Sequence, residues 1–233
     1  MTNNSLDVRV YPIEEPKNNT LAFASIAIDD LTAIRGVRVI DSVKGLFVSM
    51  PQSQDTSGIY HDIAFPLNGE LRKEISAAVI DEYNSQVNLE PSQRGYAETS
   101  ITSDGKHAED VKLEVKVFPV AESKNGTLAF ASVGFDDVAA IRGIRVVNGD
   151  KGNFVAMPQS KDKNGEFHDV AFPLSGDLRK AVSNAILSEY KHQTVERKQG
   201  IDERLANGKE QAKQQTANTS GRTAPKKAQG IDD

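Results

Sequence analysis

Leu6 to Val10 alternates apolar with charged positions. Val8 and Val10 fall on one face and Asp7, Arg9 and Tyr11 on the other, and that period of two predicts a half-exposed strand. Pro12 is expected to close it, with Glu14 to Asn19 forming a polar turn. Leu21 to Ile28 is nearly all apolar and predicts a central strand covered on both faces. Asp29-Asp30 leaves so short a gap that the next strand must return antiparallel. That strand, Ile34 to Ile40, carries Arg35 and Arg38 within an apolar run, where guanidinium groups are costly unless they reach water or a partner. Phe47 to Met50, stopped by Pro51, is a fourth strand, and a loop around Gly58 leads to a fifth, Tyr60 to Phe65. Asn68 is placed to cap a helix whose Leu71, Ile75, Ala78, Val79 and Tyr83 recur at helical spacing. Glu70 suits the positive end of its dipole, and Arg72 and Lys73 begin the wet face.

The whole pattern then returns. Residues 6–83 match residues 113–190 at a constant shift without a gap, and roughly three positions in five are identical. The second arginine strand runs from Ile141 to Val147 with Arg142 and Arg145. The second helix follows Ser175 and Asp177, starts its wet face with Arg179 and Lys180, and buries Leu178, Val182, Ala185, Ile186 and Tyr190. Two copies are too few for a solenoid. The expected fold class is α+β, with two tandem small domains, each an antiparallel sheet of about five strands followed by a C-terminal helix. The boundaries read from the sequence are 1–88 for the first domain, 89–110 for a polar linker, 111–193 for the second domain and 194–233 for a tail. The tail has few apolar residues and reads as a fraying helix extension, then disorder. A domain of about 80 residues is marginal alone, and the linker is long enough to let the copies touch. Intramolecular pairing of the two copies is therefore expected, with further self-association left open.

Composition narrows the function. The chain has no cysteine, so disulfides, thiolate metal sites and cysteine nucleophiles are excluded and a reducing cytoplasm is the expected home. No apolar run is long enough to cross a membrane, and Met1-Thr2-Asn3-Asn4-Ser5 lacks the apolar core of a signal peptide. A net charge of −5 argues against a bulk polyelectrolyte binder, so contact with a polyanion requires a local basic patch. The charge is unevenly spread: about −5 on the first copy, −1 on the second, −2 on the linker and +3 on the tail. The second copy and the tail are the better placed for a polyanion.

The arginine pairs could contact phosphates or form salt bridges with an Asp of their own copy, and both readings stay open. Their odd spacing would point them to opposite faces of an ideal strand unless Gly36 bulges. The helix-start pairs Arg72-Lys73 and Arg179-Lys180 fit phosphate contact or an ordinary solvated face. Asp29-Asp30 and Asp136-Asp137 read as turns, since no third metal ligand is evident. His61 and His168 stand next to Asp62 and Asp169, but neighbours on a strand face opposite ways and make a poor dyad. There is no Gly-rich phosphate loop and no zinc spacing. No catalytic residue, metal or cofactor is expected, and the chain does not read as an enzyme.

The run Ile34-Arg35-Gly36-Val37-Arg38-Val39-Ile40-Asp41, followed by Gly45-Leu46-Phe47-Val48-Ser49-Met50-Pro51, resembles the septation protein SpoVG (stage V sporulation protein G) family. So does Tyr60-His61-Asp62-Ile63-Ala64-Phe65-Pro66 leading into the helix with Arg72 and ending at Glu82-Tyr83. The resemblance covers nearly all of both copies but neither linker nor tail. It implies small sheet-plus-helix domains that pair into dimers, in bacterial regulators tied to sporulation, septation and virulence that bind DNA and RNA. Carried over by position, the family's strand arginine falls on Arg38 and Arg145, and its helix arginine on Arg72 and Arg179. After Met-Pro the family usually shows Ser, then Lys and Arg. Copy one has Gln52-Ser53-Gln54 there, whereas copy two has Gln159-Ser160-Lys161-Asp162-Lys163 and restores two cations. The family's next helix lysine is replaced by Glu74 and Ala181. Typical members carry a single copy. The expected nucleic-acid contacts are thus Arg38, Arg72, Lys73, Arg145, Lys161, Lys163, Arg179 and Lys180. The expected function is a DNA- or RNA-binding regulator whose copies form an intrachain pseudo-dimer. The alternative is a non-catalytic interaction module in cell division or on a mobile element, with weakened nucleic-acid binding.

Overall fold

The computed structural model describes residues 5–90, 108–121 and 125–219. The first copy comprises β1 (Leu6–Lys17), β2 (Thr20–Ile28), β3 (Thr32–Ser42), β4 (Gly45–Ser49), β5 (Gln52–Gln54), β6 (Tyr60–Asp62), β7 (Ala64–Pro66) and α1 (Gly69–Val87). After a 3-10 turn at Ala108–Asp110, the second repeats it as β8 (Leu113–Pro119), β9 (Thr127–Phe135), β10 (Ala139–Gly149), β11 (Gly152–Ala156), β12 (Gln159–Lys161), β13 (Phe167–Asp169), β14 (Ala171–Pro173) and α2 (Gly176–Thr219). The architecture is α+β in two tandem repeats. Of the linker, 91–107 lies outside the described residues. α2 continues past Tyr190 to Thr219, and 220–233 lies outside them.

The strands of each copy form antiparallel hairpins, and the tight turns are built from residues that tolerate a left-handed backbone. Asn18 and Asn19 have φ of 52° and 60°, Asp29 and Asp30 of 50° and 55°, and Asp136 and Asp137 of 48° and 57°. Asn and Asp are the non-glycine residues best suited to such two-residue hairpin turns. Three local expectations are corrected. Pro12 does not end β1, because β1 is an edge strand and a missing N–H on the open edge removes no ladder bond. The first turn shrinks accordingly to Asn18-Asn19. β2 is central but not covered on both faces along its length: Ala22, Ala24 and Ile26 are buried on one face, whereas on the other Phe23 is 47% exposed and only Ala27, near the end, is buried.

The third correction concerns topology. The predicted fifth strand divides in two. Tyr60–Asp62 pairs with Gln52–Gln54 in a small ribbon, whereas Ala64–Pro66 leaves for the sheet of the other copy. β7 pairs with β10 through Ala64↔Ile141, Phe65↔Ala140 and Pro66↔Ala139. β14 pairs with β3 through Ala171↔Ile34, Phe172↔Ala33 and Pro173↔Thr32. The two main sheets have five strands each, and each takes one strand from the opposite copy. Bonds at the junctions lock the exchange. The Arg35 amide donates to the Val170 carbonyl at 2.7 Å and the Arg142 amide to that of Ile63 at 2.6 Å. Thr32, fully buried, satisfies its hydroxyl by donating to the Phe172 carbonyl at 3.1 Å.

The exchange merges the interiors. Ile26, Ile34, Leu71, Ile75 and Val79 of the first copy join Phe135, Ile141, Leu178, Val182 and Ile186 of the second in one continuous hydrophobic cluster. Among the described residues, those up to Tyr190 form one compact unit, and the part of α2 from Lys191 onward is a second. Asn68 caps α1 as expected, its Oδ1 accepting the Glu70 amide at 2.8 Å. Ser175 Oγ accepts the Leu178 amide at 3.1 Å at the start of α2.

Candidate nucleic-acid interface

The arginine strands are bulged at glycine. On β3 and β2, Val37 pairs with Ala24 and Ile34 with Ile26, so β3 holds one extra residue between them. β10 repeats this, with Ile144 against Ala131 and Ile141 against Val133. Gly36 and Gly143 both have φ of 73°, a conformation that glycine adopts without the Cβ penalty. The bulge shifts the side-chain alternation by one. Ile34 and Val37 are both buried, and Arg35 and Arg38 both turn outward. Arg142 and Arg145 follow the same pattern.

The two arginines of each pair then diverge in role. Arg35 lies over the Phe172 ring at 4.9 Å and Arg142 over the Phe65 ring at 4.6 Å, each stacking on the strand received from the other copy. None of the four strand arginines forms an ion pair among the described residues. Arg38, half-buried, donates to Ser49 Oγ at 3.3 Å. Arg145 occupies the equivalent place opposite Phe130 on one side and Ala156 on the other.

The helix arginines are held by the small ribbons. Arg72 Nη2 donates to Asp62 Oδ2 at 2.8 Å, and the other oxygen of Asp62 accepts from Gln52 at 2.9 Å. Arg179 pairs likewise with Asp169, which also accepts from Gln159 at 3.0 Å. Arg179 lies 6.0 Å over the same Phe172 ring that Arg35 covers. Lys73 and Lys180 are exposed and reach back to Glu70 at 2.8 Å and Asp177 at 3.3 Å. Such surface pairs, worth about 0.3–0.5 kcal/mol, give way readily to a phosphate. Lys161 and Lys163 are exposed on the β12–β13 hairpin, with Lys161 5.7 Å over the Phe167 ring.

Two of these positions meet in one groove. An open groove of about 530 Å³ in the second copy is lined by both Arg145 and Arg179, together with Val147, Phe154, Val155, Ala156, Met157, Gln159 and Asp169. Arg38 of the first copy lines a hollow of about 560 Å³ with Ile13, Glu15, Lys17, Asn18, Thr20 and Phe23.

The hairpins carry a feature that sequence adjacency concealed. His61 and His168 do not pair with the neighbouring Asp62 and Asp169, which serve the helix arginines. His61 Nε2 meets Asp55 Oδ2 at 2.8 Å and His168 Nε2 meets Asp162 Oδ2 at 3.1 Å, across the turn. The His61 hydrogen bond, then the Ile59 amide, holds the Asp55 carboxyl below its usual value. For Asp162 the Glu166 amide acts most strongly, with His168 and the Asn164 amide adding to it. Asp162, Glu166 and His168 bring one possible metal-ligand atom each within 4.8 Å of the others. The first copy keeps its Asp–His pair with Ile59 in place of the glutamate. The pair therefore locks the turn without needing a third ligand. The aromatic partners of Arg35 and Arg142 were equally hidden, since they lie on the exchanged strands.

A family model described as SpoVG matches residues 4–85 and again 111–192. The chain belongs to the SpoVG family. Proteins bearing the name septation protein SpoVG are similar to it one copy at a time. That of Anaeromyxobacter sp. (strain Fw109-5) is 40% identical over 77 residues, which cover 33% of this chain and 77% of the relative. That of Macrococcus caseolyticus (strain JCSC5402) is 40% identical over 96 residues, covering 39% and 84%. That of Myxococcus xanthus (strain DK1622) is 40% identical over 80 residues, covering 34% and 79%. Each alignment takes up well under half of this chain but most of the relative, so the SpoVG unit is present here in duplicate. No helix among the described residues is long and apolar enough to cross a membrane.

Proposed function

We propose that this chain is a cytoplasmic, non-catalytic nucleic-acid-binding regulator connected with septation or sporulation control, and that its second copy supplies the main contact surface. The observation that carries this reading is the groove in which Arg145 and Arg179 meet, contributed by a strand and a helix distant in sequence. Cations fixed on rigid elements suit phosphates, which position a nucleic acid irrespective of its sequence. Lys161 and Lys163 extend the cationic surface on the adjoining hairpin, where the first copy has Gln54 and Thr56. The charge of about −1 on the second copy, against about −5 on the first, acts in the same direction.

The test is binding of labelled duplex DNA and RNA by the full chain at several salt concentrations. Arg179→Ala with Lys180→Ala is expected to weaken binding more than Arg72→Ala with Lys73→Ala. Each lost phosphate contact should flatten the slope of log affinity against log salt by about one unit. Far-UV dichroism should not change. Equal losses would make the copies symmetric halves and refute the assignment to the second. No binding by the unmodified chain would leave the interaction module as the better reading.

A further inference from the structure

We infer that the open face of the second copy's sheet is a stacking platform for unpaired bases, so that the favoured ligand is single-stranded nucleic acid; this deepens the reading above and rests on it. The register aligns Phe118 on β8, Phe130 on β9, Arg145 on β10 and Ala156 on β11 in one row across the sheet. Phe154 stands one step along the same face, opposite Val147. The alternate residues Val117, Ala129, Ala131 and Val146 are buried, so the row lies on the face turned away from the core. Phe118 is 58% exposed, and Phe130 and Phe154 are 47% exposed each. Three phenyl rings side by side on an open sheet, around an arginine, form an apolar patch that marks a binding surface.

Charge selects the occupant. Lys116 lies two residues before Phe118 on the same face and makes no ion pair among the described residues. Arg145 sits within the aromatic row, and Arg179 shares the groove with Phe154. Among the described residues, Glu114 is matched by Lys112 at 2.9 Å and Asp169 by Arg179, which leaves Lys116 and Arg145 as cations of this face without an ion pair. The surface thus combines aromatic faces with surplus cations, which fits a polyanion whose bases expose their own faces. A duplex hides those faces in its stack and offers only base edges and phosphates, so the phenyl rings would gain little from it. In the first copy Tyr11, Phe23 and Phe47 repeat the aromatic positions, but Arg9, standing where Lys116 does, is tied to Asp7 at 3.2 Å. The cationic part of the platform is therefore stronger in the second copy.

The experiment measures affinity of the full chain for a labelled twenty-residue oligothymidylate and for a duplex of equal length, in moderate salt. The unmodified chain should bind the single strand more tightly. Phe130→Leu with Phe154→Leu keeps the face apolar but removes stacking, and should weaken single-strand binding by roughly tenfold or more while leaving duplex binding unchanged. Phe130→Tyr with Phe154→Tyr should restore it. Arg179→Ala with Lys180→Ala should weaken both ligands, since it removes phosphate contacts. Thermal midpoints are compared first, and the Phe→Tyr pair keeps the test decisive if the Leu pair does not fold. Single-strand affinity indifferent to the Leu pair, or lost in the Tyr pair despite native folding, overturns the platform while leaving the cationic groove standing. A mass by light scattering that falls in the Leu pair with affinity unchanged also overturns it, in favour of self-association. Failure of the unmodified chain to bind either ligand removes the broader reading as well.

Discussion

Cutting the chain between its copies should convert a folding problem for one molecule into an assembly problem for two. A protease site inserted within residues 91–107 and cleaved in the purified protein leaves both halves present but untethered. Each half then lacks a strand of its own sheet. The bonds lost on separation include Arg35 N–H to Val170 at 2.7 Å, Leu174 N–H to Leu31 at 3.0 Å, Arg142 N–H to Ile63 at 2.6 Å and Leu67 N–H to Val138 at 2.8 Å. Separation also uncovers Ala33, Ile34, Ala139 and Ile141, all fully buried in the intact fold. A short linker holds its partners at an effective concentration on the order of 1 mM. Halves at about 1 μM are a thousandfold more dilute, a loss of about 4 kcal/mol, against a total stability of only about 5–15 kcal/mol for an ordinary domain. Urea unfolding followed by far-UV dichroism at about 1 and 100 μM reads the effect. The intact chain should give coincident curves, while the cut chain should differ by about 2.7 kcal/mol between the two concentrations. Coincident curves for the cut chain, matching those of the intact one, would show that each copy is self-sufficient and refute the role given to the exchange.

Gly143→Ala meets no steric obstacle, its nearest neighbour being Pro158 Cβ at 3.9 Å, but forces φ of 73° on an L-residue; it should cost about 1–2 kcal/mol in chemical unfolding. Asp162 has its carboxyl lowered from 3.8, so its contribution to the β12–β13 hairpin is present above that value and lost as pH falls through the lower folded one. Amide exchange should therefore show the hairpin opening at the acid end of that window, and Asp162→Asn should remove the pH dependence. Arg35→Ala should weaken nucleic-acid binding more than Arg142→Ala, because Arg35 shares the Phe172 ring with Arg179 beside the second-copy groove. Affinity measured at two salt concentrations checks this, and an equal or larger loss from Arg142→Ala would contradict it.

The sequence carried the hairpins, the helix faces and the repeat because each rests on short-range chemistry: period-two alternation, Asn and Asp in left-handed turns, and Leu71, Ile75 and Val79 at helical spacing. It carried the bulge at Gly36 only as a condition, since a glycine within a strand permits a bulge without requiring one. It did not carry the exchange. Ala64-Phe65-Pro66 and Ala171-Phe172-Pro173 are three-residue strands, identical in the two copies, and nothing in them distinguishes pairing at home from pairing abroad. The partners of the arginines were hidden for the same reason, because Phe172 is distant from Arg35 in the chain and adjacent only after the exchange. The alternation of a strand was enough to set aside His168 with its neighbour Asp169, but not to find its partner Asp162, which the turn brings to it. Long-range pairing escapes local rules.

Covalent duplication changes what such an exchange permits. In an assembly of two identical chains, every substitution acts in both halves, and a surface improved for one ligand is improved twice or not at all. Here the exchange makes each copy necessary for the other's sheet, while the tether lets their outer surfaces differ. The buried positions have stayed close: Ile34, Leu71 and Ile75 in one copy answer to Ile141, Leu178 and Val182 in the other. The divergence is outward, with Gln54, Thr56 and Ile59 set against Lys161, Lys163 and Glu166. Thr32 is an instructive exception. Its hydroxyl bonds the carbonyl of Phe172, whereas Ala139 at the matching place has no hydroxyl to offer. One junction therefore carries a side-chain bond that the other cannot form, and it is the junction beside Arg35, Phe172 and Arg179. On the proposed reading, the first copy then serves as more than a folding partner. It holds β14 in place from beneath with Thr32 and presents Arg35 to the same ring as Arg179, so the cationic surface assigned to the second copy is completed by the acidic first one.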